Sequence, residues 1–184
     1  MLTAKLVSTE EELIQIAALS ASNLSTNISK ETKAAEGFVS WYYPIEALRA
    51  IHTAVPSVIV KDGDIVAGYA LTLTRECIPV YPAMAHTMEH VSGISYKGQL
   101  LSGSRLYLMG QICVREGYRG QGVVGLLYDF HRHAFSDRYD MLVTEISPTN
   151  PRSLKAHEKV GFRIIDRYRE GQDEWIVVLW DWLE

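Results

Sequence analysis

Cysteine is scarce in the sequence. Cys77 and Cys113 are the only two among 184 residues, and their spacing matches neither a disulfide framework nor a cysteine-ligated zinc site. We therefore expect reduced thiols and a cytoplasmic protein. A long apolar run is also missing, and the N-terminus turns polar at Ser8, which leaves no room for a signal-peptide core. We expect no membrane partner.

Excess positive charge is absent as well. Lys and Arg number 18 against 22 Asp and Glu, so the formal net charge is −4, and the pI is near 5.9. Nucleic acids and acidic membranes are bound by broad basic surfaces. We therefore expect no nucleic-acid partner. The hydrophobic content of 47% is ordinary for a globular core, and the length suits a single domain over residues 1–184.

The pattern of apolar and turn residues predicts an α/β (α+β) chain. Strands are expected over 3–7, 57–61, 65–74, 105–114, 140–146, 162–169 and 174–182, with a hairpin turn at 61–64. Helices are expected after Ser8 or Thr9, from Pro44, near 83–92, over 121–136 and over 151–160. Residues 22–36 are predicted as loop with a helical turn. Residues 75–104 form a long excursion, and such excursions are often functional.

Residues 114–125 place an arginine and three glycines between a strand and a helix. Gly120, Gly122 and Gly125 lack side chains, so backbone N–H groups at the helix start can point at phosphate oxygens. The helix dipole adds partial positive charge, and Arg119 adds a full charge on a fork suited to phosphate. The sequence therefore predicts a site for a phosphorylated cofactor.

Two other kinds of phosphate site, for dinucleotides and for nucleoside triphosphates, also use glycine-rich turns. Gly120-x-Gly122-x-x-Gly125 matches the dinucleotide fingerprint, and Glu145 lies 20 residues past Gly125, where a ribose-binding acid is expected. However, only 59 residues follow Gly125 and they end in two adjacent strands, which cannot supply further parallel units. A nucleoside triphosphate loop is excluded because no Gly-Lys-Ser/Thr follows the glycines.

The glycine turn and the segment from Asn150 to Phe162 together resemble the GCN5-related N-acetyltransferase (GNAT) family. The family's Arg/Gln-x-x-Gly-x-Gly/Ala signature falls on Arg119, Gly122 and Val124. Its Asn...Tyr-x-x-x-Gly-Phe segment falls on Asn150, His157, Gly161 and Phe162. The sequence departs from the family at Val124, where Gly or Ala is usual, and at His157, where Tyr is frequent.

The resemblance implies a fold and a cofactor. The expected fold is a mixed, mostly antiparallel seven-stranded sheet with helices on both faces, in which the parallel strands 105–114 and 140–146 splay apart. Acetyl-CoA is the implied cofactor, with its pantetheine arm in the gap. The residues implied to bind it are Ile112, Val114, Arg119, Gly120, Gln121, Gly122, Val123, Val124, Gly125, Asn150, Ser153 and His157.

The implied function is N-acetyl transfer from acetyl-CoA to a primary amine, directly within a ternary complex. The N–H of Ile112 is expected to polarise the thioester carbonyl. Glu145 is the leading candidate for general base, and His157 is a candidate acid toward the thiolate because its reference pKa leaves a usable charged fraction near neutrality. The acceptor, a small-molecule or peptide amine, stays open. A domain that binds acyl-CoA as a sensor without catalysis is the alternative.

The remaining polar candidates have simpler interpretations. Gln111 cannot accept a catalytic proton and is expected to orient substrate or water. His131 and His133 are predicted on the solvated helix surface. His86 and His90 have zinc-compatible spacing, but no further ligand is evident, so we predict no metal.

The aromatic residues carry two interpretations each. The run Trp41, Tyr42 and Tyr43 is predicted either to form an acceptor wall or to pack in the core. Trp180 and Trp182 share a face of the last strand, where core packing or contact with a second copy in a homodimer is expected. Cys113 is expected to be a buried, inert thiol.

Overall fold

A computed structural model of the chain describes residues 1–184, except for the side chains of residues 34–36. Its main sheet has seven strands in the order β1-β2-β3-β6-β7-β9-β8, and β4 pairs with β5 in a separate hairpin. The strands are β1 (Leu2–Leu6), β2 (Val58–Asp62), β3 (Ile65–Leu73), β4 (Ser95–Tyr96), β5 (Gln99–Leu100), β6 (Leu106–Val114), β7 (Met141–Ile146), β8 (Arg163–Glu170) and β9 (Asp173–Asp181). The helices are α1 (Glu10–Ser22), α2 (Lys30–Glu36), α3 (Ile45–Ala54), α4 (Ala85–Gly93), α5 (Val123–Phe135) and α6 (Pro151–Val160).

The predicted fold class is confirmed. All seven main strands lie within two residues of their predicted bounds, and β6 with β7 forms the parallel pair of an otherwise antiparallel sheet. The predicted helical turn in 22–36 is a seven-residue helix, α2. The excursion contains α4 near its predicted position and the small β4–β5 hairpin, which sequence periodicity did not indicate.

Helices cover both faces of the sheet, and β3 shows why. Tyr69 points toward α1, since its hydroxyl meets Gln111, whose amide oxygen also accepts a hydrogen bond from Ser20. Gly68, the residue before Tyr69, faces the other side of the sheet. A Cβ at this position would lie 2.8 Å from Val123 of α5. Successive strand residues point to opposite faces, so β3 is buried on both. Glycine at position 68 lets the first turn of α5 lie close against the sheet.

The first helix begins as its sequence predicts. Thr9 is the N-cap, and its side chain and that of Glu12 form a capping box. Glu12 is buried and contacts Lys5 at 2.7 Å and Lys61 at 3.1 Å, and these cations and hydrogen bonds lower its pKa to about 2 although burial alone would raise it. Helix α1 is thereby fastened to β1 and β2.

Both cysteines are buried and unpaired. Burial raises the pKa of Cys113 to about 12, so the thiol is protonated and unreactive at neutral pH. Within the described residues, no helix has both the length and the apolar character needed to cross a membrane.

Candidate active site

The parallel strands β6 and β7 separate after a short paired stretch. Their register runs from Leu106 opposite Met141 to Leu108 opposite Val143 and then stops, although β6 continues to Val114 and β7 to Ile146. Thr144 closes the vertex, because its hydroxyl donates a 2.8 Å hydrogen bond to the Met109 carbonyl. The sheet therefore contains an open wedge between residues 109–114 and 144–146.

Backbone groups of β6 point into this wedge. Arg115 donates its N–H to the Ala67 carbonyl at 2.8 Å, toward β3. Because N–H directions alternate along a strand, the N–H of Cys113 also faces β3, and those of Ile112 and Val114 face the wedge. The Val114 carbonyl faces the same way and accepts a hydrogen bond from Arg119 at 3.2 Å. The wedge thus offers two strand amides to a ligand.

The wedge leads to the start of α5. Gly122 is the N-cap of this helix in the left-handed conformation, with φ of 79°, and provides no side-chain cap, a geometry that favours glycine. The N–H groups of Gly120, Gly122 and residues 123–125 take part in none of the backbone hydrogen bonds found among the described residues. These donors sit at the positive end of the helix dipole and form an anion cradle.

Positive side chains surround the cradle. The hydrogen bonds that orient the Arg119 guanidinium include one to the Val114 carbonyl and one of 2.7 Å to the Asn23 side-chain oxygen. Arg152, Lys155 and Lys159 approach from α6 at spacings of three and four residues, which place them on one helix face. These cations line a cavity of about 510 Å³, which we call the cationic cavity.

Most residues predicted to bind the cofactor line the cationic cavity. They are Ile112, Val114, Arg119, Gly120, Gly122, Val123, Val124, Asn150, Ser153 and His157. Gln121 and Gly125 do not line it, and the Gln121 side chain donates to the Gly117 carbonyl at 2.6 Å. The sequence analysis did not predict the basic face of α6, although the spacing of its three basic residues by three and four positions could have indicated it.

Asn150 connects α6 to the segment that covers the wedge. Its side-chain oxygen accepts from the Ser153 N–H at 3.2 Å and caps α6, while its amide donates to the Phe38 carbonyl at 2.9 Å. Phe38 and Val39 line the cationic cavity and the cavity next to it. Residues 37–41 therefore form a wall across the wedge, and the side chain of Asn150 is already engaged in holding it.

A second cavity of about 210 Å³ lies at the other end of the wedge. Much of its wall is aromatic, so we call it the aromatic cavity. Its aromatic side chains are Phe38, Trp41, Tyr43, Tyr81 and Trp175. Of the predicted aromatic run, Trp41 and Tyr43 line the cavity, and Tyr42 does not. Ile112, Asn150, Ser153 and His157 line both cavities, which therefore meet at the wedge.

Glu145 points into the aromatic cavity from β7. Its carboxylate accepts hydrogen bonds from the Tyr168 hydroxyl at 2.6 Å and the Thr87 hydroxyl at 3.2 Å. Burial raises the pKa of Glu145 above its ordinary range, against the smaller lowering effect of these hydrogen bonds. A carboxylate with a raised pKa, facing a cavity, is suited to accept a proton. Thr87 and Tyr168 were not predicted, because they lie 58 and 23 residues from Glu145.

The expectation that a usable fraction of His157 is charged near neutrality is wrong. The ring is 2% exposed, its Nδ1 lies 2.7 Å from the Ser153 carbonyl, and its Nε2 lies 2.6 Å from the Tyr128 hydroxyl. A carbonyl only accepts, so Nδ1 carries the proton and Nε2 accepts from Tyr128. Burial lowers the pKa of His157 to about 4, so the neutral ring dominates at pH 7 and has no proton ready for a leaving group.

The buried histidines make stability depend on pH. In the unfolded chain the pKa of His157 is near 6.5. Between about pH 6.5 and 4 the unfolded state therefore binds a proton at His157 that the folded state does not bind. The free energy of unfolding should decrease as pH falls through this window, by about 3 kcal/mol from His157 alone. His131, with its pKa lowered to about 3 by burial, acts in the same direction. Urea unfolding at pH 7, 6 and 5 measures the slope.

A matched pair of variants separates this effect from general acid sensitivity. His157→Gln should flatten the slope, whereas His133→Gln, at an exposed position of α5, should leave it unchanged. If the free energy of unfolding had the same pH slope in the two variants, the pH dependence could not be assigned to His157.

Burial overturns the prediction for His131. His131 is not on the solvated surface; it is 0% exposed, and its Nδ1 lies 2.9 Å from the Tyr107 hydroxyl. Gln111 lines the aromatic cavity, where its amide donates to the Trp41 carbonyl at 2.6 Å and its oxygen accepts from Ser20 and Tyr69; its expected contact with substrate or water stays a prediction. Gln111 fastens α1, β3 and the 37–41 wall to β6.

His86 and His90 face carboxylates of β8. His86 Nε2 lies 3.2 Å from Glu170, and His90 Nε2 lies 2.8 Å from Asp166. The His90 ring stacks on Tyr168 with centroids 3.8 Å apart, so α4 holds the tyrosine that bonds Glu145. Within the part of the chain that the structure describes, no group of three or more His, Cys, Asp or Glu side chains is arranged to hold a metal ion.

The tryptophans of the last strand pack internally. Trp182 is buried and contacts Trp180 edge-on, with ring centroids 5.8 Å apart. Trp180 also packs against Phe162 and Tyr128. Through these contacts, the face of β9 that carries Trp180 and Trp182 packs within the core.

Comparison with known proteins agrees with this geometry. The model described as "Acetyltransferase (GNAT) family" matches residues 27–162. No curated protein matches the sequence.

Solved structures of similar fold cover nearly the whole chain. A chain of the "NatC complex bound to Gag peptide and CoA" has 16% identity and a TM-score of 0.64, covering 98% of each chain. Ard1 from Thermoplasma volcanium has 13% identity and a TM-score of 0.66, covering 100% of this chain and 99% of its own. The putative acetyltransferase yncA from Salmonella typhimurium, solved "with its cofactor Acetyl-CoA", has 13% identity and a TM-score of 0.59, covering 98% of this chain and 94% of its own. At these identities the likeness concerns the fold.

Proposed function

Because the chain belongs to the acetyltransferase (GNAT) family, we propose that it transfers an acetyl group from acetyl-CoA to a primary amine within a ternary complex. The observation that carries the proposal is the wedge between β6 and β7, which offers unused strand amides and continues into the anion cradle at α5. Two solved relatives of similar fold contain CoA or acetyl-CoA, which supports the choice of cofactor.

The cationic cavity suits the phosphorylated part of coenzyme A. Its cradle N–H groups and Arg119 have the geometry and charge for a diphosphate. Arg152, Lys155 and Lys159 extend the positive surface along α6. We assign the N–H of Ile112 to the acetyl carbonyl and that of Val114 to the pantetheine arm, because both face the wedge and a buried donor is stabilised by a hydrogen-bonding partner. Val124 contributes its backbone to the cradle, as do Val123 and Gly125 on either side, whereas the N–H of Gln121 already bonds the Tyr118 carbonyl at 3.4 Å.

Asn150, Ser153 and His157 occupy the place where the two cavities join. Asn150 caps α6 and holds the Phe38 wall, so its role is to shape the passage through which the pantetheine arm runs. The neutral His157 ring fixes the same turn of α6 through Tyr128 and Ser153. We assign His157 to cofactor contact and positioning rather than to acid catalysis.

Acyl transfer requires a neutral amine close to the thioester carbonyl. Acetyl-CoA supplies the thioester, whose carbonyl carbon accepts the amine nitrogen. The Ile112 N–H stabilises the negative charge that develops on the carbonyl oxygen. Glu145 takes the proton that the amine gives up as the carbon–nitrogen bond forms and the carbon–sulfur bond breaks. The thiolate of coenzyme A leaves without a protein acid, because thiols have pKa values near 8.5.

Calorimetry and thiol release together test this function. Acetyl-CoA titrated into the protein should bind at micromolar to low millimolar concentration, and a panel of primary amines should include acceptors that cause release of free coenzyme A thiol. A protein that binds acetyl-CoA and releases no thiol with any amine would be a sensor of acyl-CoA. The absence of acetyl-CoA binding would overturn both functions.

A further inference from the structure

The aromatic cavity has the opposite charge to the cationic cavity. Glu145 and Glu170 line it, and among the side chains that the structure describes no lysine or arginine does so. The cationic cavity has four basic side chains in its wall. One end of the wedge therefore suits an anion and the other end a cation.

The negative charge of the aromatic cavity lies in part on the carboxylate of Glu145. Glu145 is partly buried, and its hydrogen bonds come from two hydroxyl groups, those of Tyr168 and Thr87. None of the ion pairs seen among the described residues includes it. A buried carboxylate is stabilised by a partner of opposite charge, and a substrate ammonium group has that charge.

The rest of the wall fits an apolar body of small size. Tyr43 and Tyr81 lie with ring centroids 5.4 Å apart, and Trp41, at 58% exposure, stands at the opening toward the solvent. The cavity volume of about 210 Å³ is below the range of about 300–1,000 Å³ found for sites of drug-sized ligands. It holds a single small ring with a short chain.

We propose that the acceptor is a small arylalkylamine, a primary amine on an aromatic body with no carboxylate beside the amine. This inference rests on the proposed function. The ammonium enters toward Glu145 and loses one proton to solvent to become the neutral amine, Glu145 takes the second proton during attack, and the ring packs among Trp41, Tyr43 and Tyr81. A carboxylate next to the amine, as in a free amino acid, would lie near Glu145 and Glu170, and among the described side chains of the wall no lysine or arginine is present to balance it.

Three acceptors with the same aromatic ring test the charge requirement, and two of them, phenylalanine and its amide, are matched in size. Phenethylamine, phenylalanine amide and phenylalanine carry the same ring, and only phenylalanine adds a negative charge. With thiol release as the readout, kcat/KM for phenethylamine and for the amide should exceed that for phenylalanine by about 100-fold or more. Equal use of phenylalanine and its amide would overturn the inference.

Two neighbouring aromatic residues test the position of the ring. Trp41→Ala should raise KM for phenethylamine about tenfold, whereas Tyr42→Ala should leave it unchanged, because Tyr42 is similarly exposed at 49% but does not line the cavity. Both variants should bind acetyl-CoA like the parent protein. An equal effect of the two substitutions would contradict the proposed position of the ring.

The outcomes separate this inference from the function on which it rests. Thiol release with phenylalanine, or with a peptide that begins with phenylalanine, but none with phenethylamine would overturn the arylalkylamine and leave acetyl transfer standing. Failure to bind acetyl-CoA, together with no thiol release from any acceptor, would overturn both.

Discussion

Glu145→Gln is expected to lower kcat/KM for the amine acceptor by about 100- to 1,000-fold, within the range of general base catalysis. Glutamine has the same shape and can still accept the hydrogen bond from Tyr168, so the cavity wall is preserved, but an amide cannot take the proton of the amine. The affinity for acetyl-CoA should be unchanged, because Glu145 lines the aromatic cavity and not the cationic cavity. Steady-state thiol release and calorimetry measure the two quantities.

The pH profile tests the role of Glu145 more directly. In the parent protein kcat/KM should decrease as pH falls through the raised pKa of Glu145, because the protonated carboxyl group is not a base. Tyr168→Phe removes a hydrogen bond that lowers this pKa, so the decrease should begin at higher pH. Glu89→Gln, at an exposed position of α4, is the control. A parent-like rate and pH profile in Glu145→Gln would exclude Glu145 as the base.

Arg119→Glu is expected to weaken acetyl-CoA binding by about 100-fold or more. The substitution removes a charge-assisted hydrogen bond, worth about 1.5–3 kcal/mol, and places a carboxylate beside the diphosphate. Each 1.4 kcal/mol corresponds to about tenfold in Kd. Calorimetric titration of acetyl-CoA measures the change, and the parent affinity should also fall with added salt.

The structural bonds of Arg119 require two controls. Because the guanidinium also bonds Asn23 and Val114, thermal unfolding must show that the variant is folded, and Arg119→Gln should give a smaller loss of affinity without charge repulsion. Arg138→Glu reverses a charge at an exposed position whose partner is Glu76, away from both cavities, and should bind acetyl-CoA normally. A folded Arg119→Glu protein with parent-like affinity would remove Arg119 from the cofactor site.

The fold was largely predictable because its signals are local. Runs of apolar residues bounded by turn residues marked the strands, and the cap at Thr9 and the proline before α3 marked helix starts. The hairpin β4–β5 and the length of α2 were missed, since two-residue strands and short polar helices leave no periodicity to detect. That residues 1–184 act as one catalytic domain stays a prediction, as does any homodimer.

The site was predictable only in part. The glycine turn and Arg119 lie within a few residues of one another, and the structure brings them together with Ile112 and Val114 at one cavity. The protonation of His157 was predicted wrongly, because it depends on burial of the ring and on Tyr128, which lies 29 residues away on α5. The basic face of α6 and the partners of Glu145 come from segments that no single motif contains.

The order of strands and helices and the anion cradle could be read from the amino acids alone, since backbone conformation and helix starts depend on neighbouring residues. The separation of β6 and β7, the direction of Glu145 and the neutral state of His157 became evident only in the folded protein. These properties depend on burial and on contacts between residues tens of positions apart, and desolvation at such contacts shifts the pKa of a group away from the value that its residue type would give.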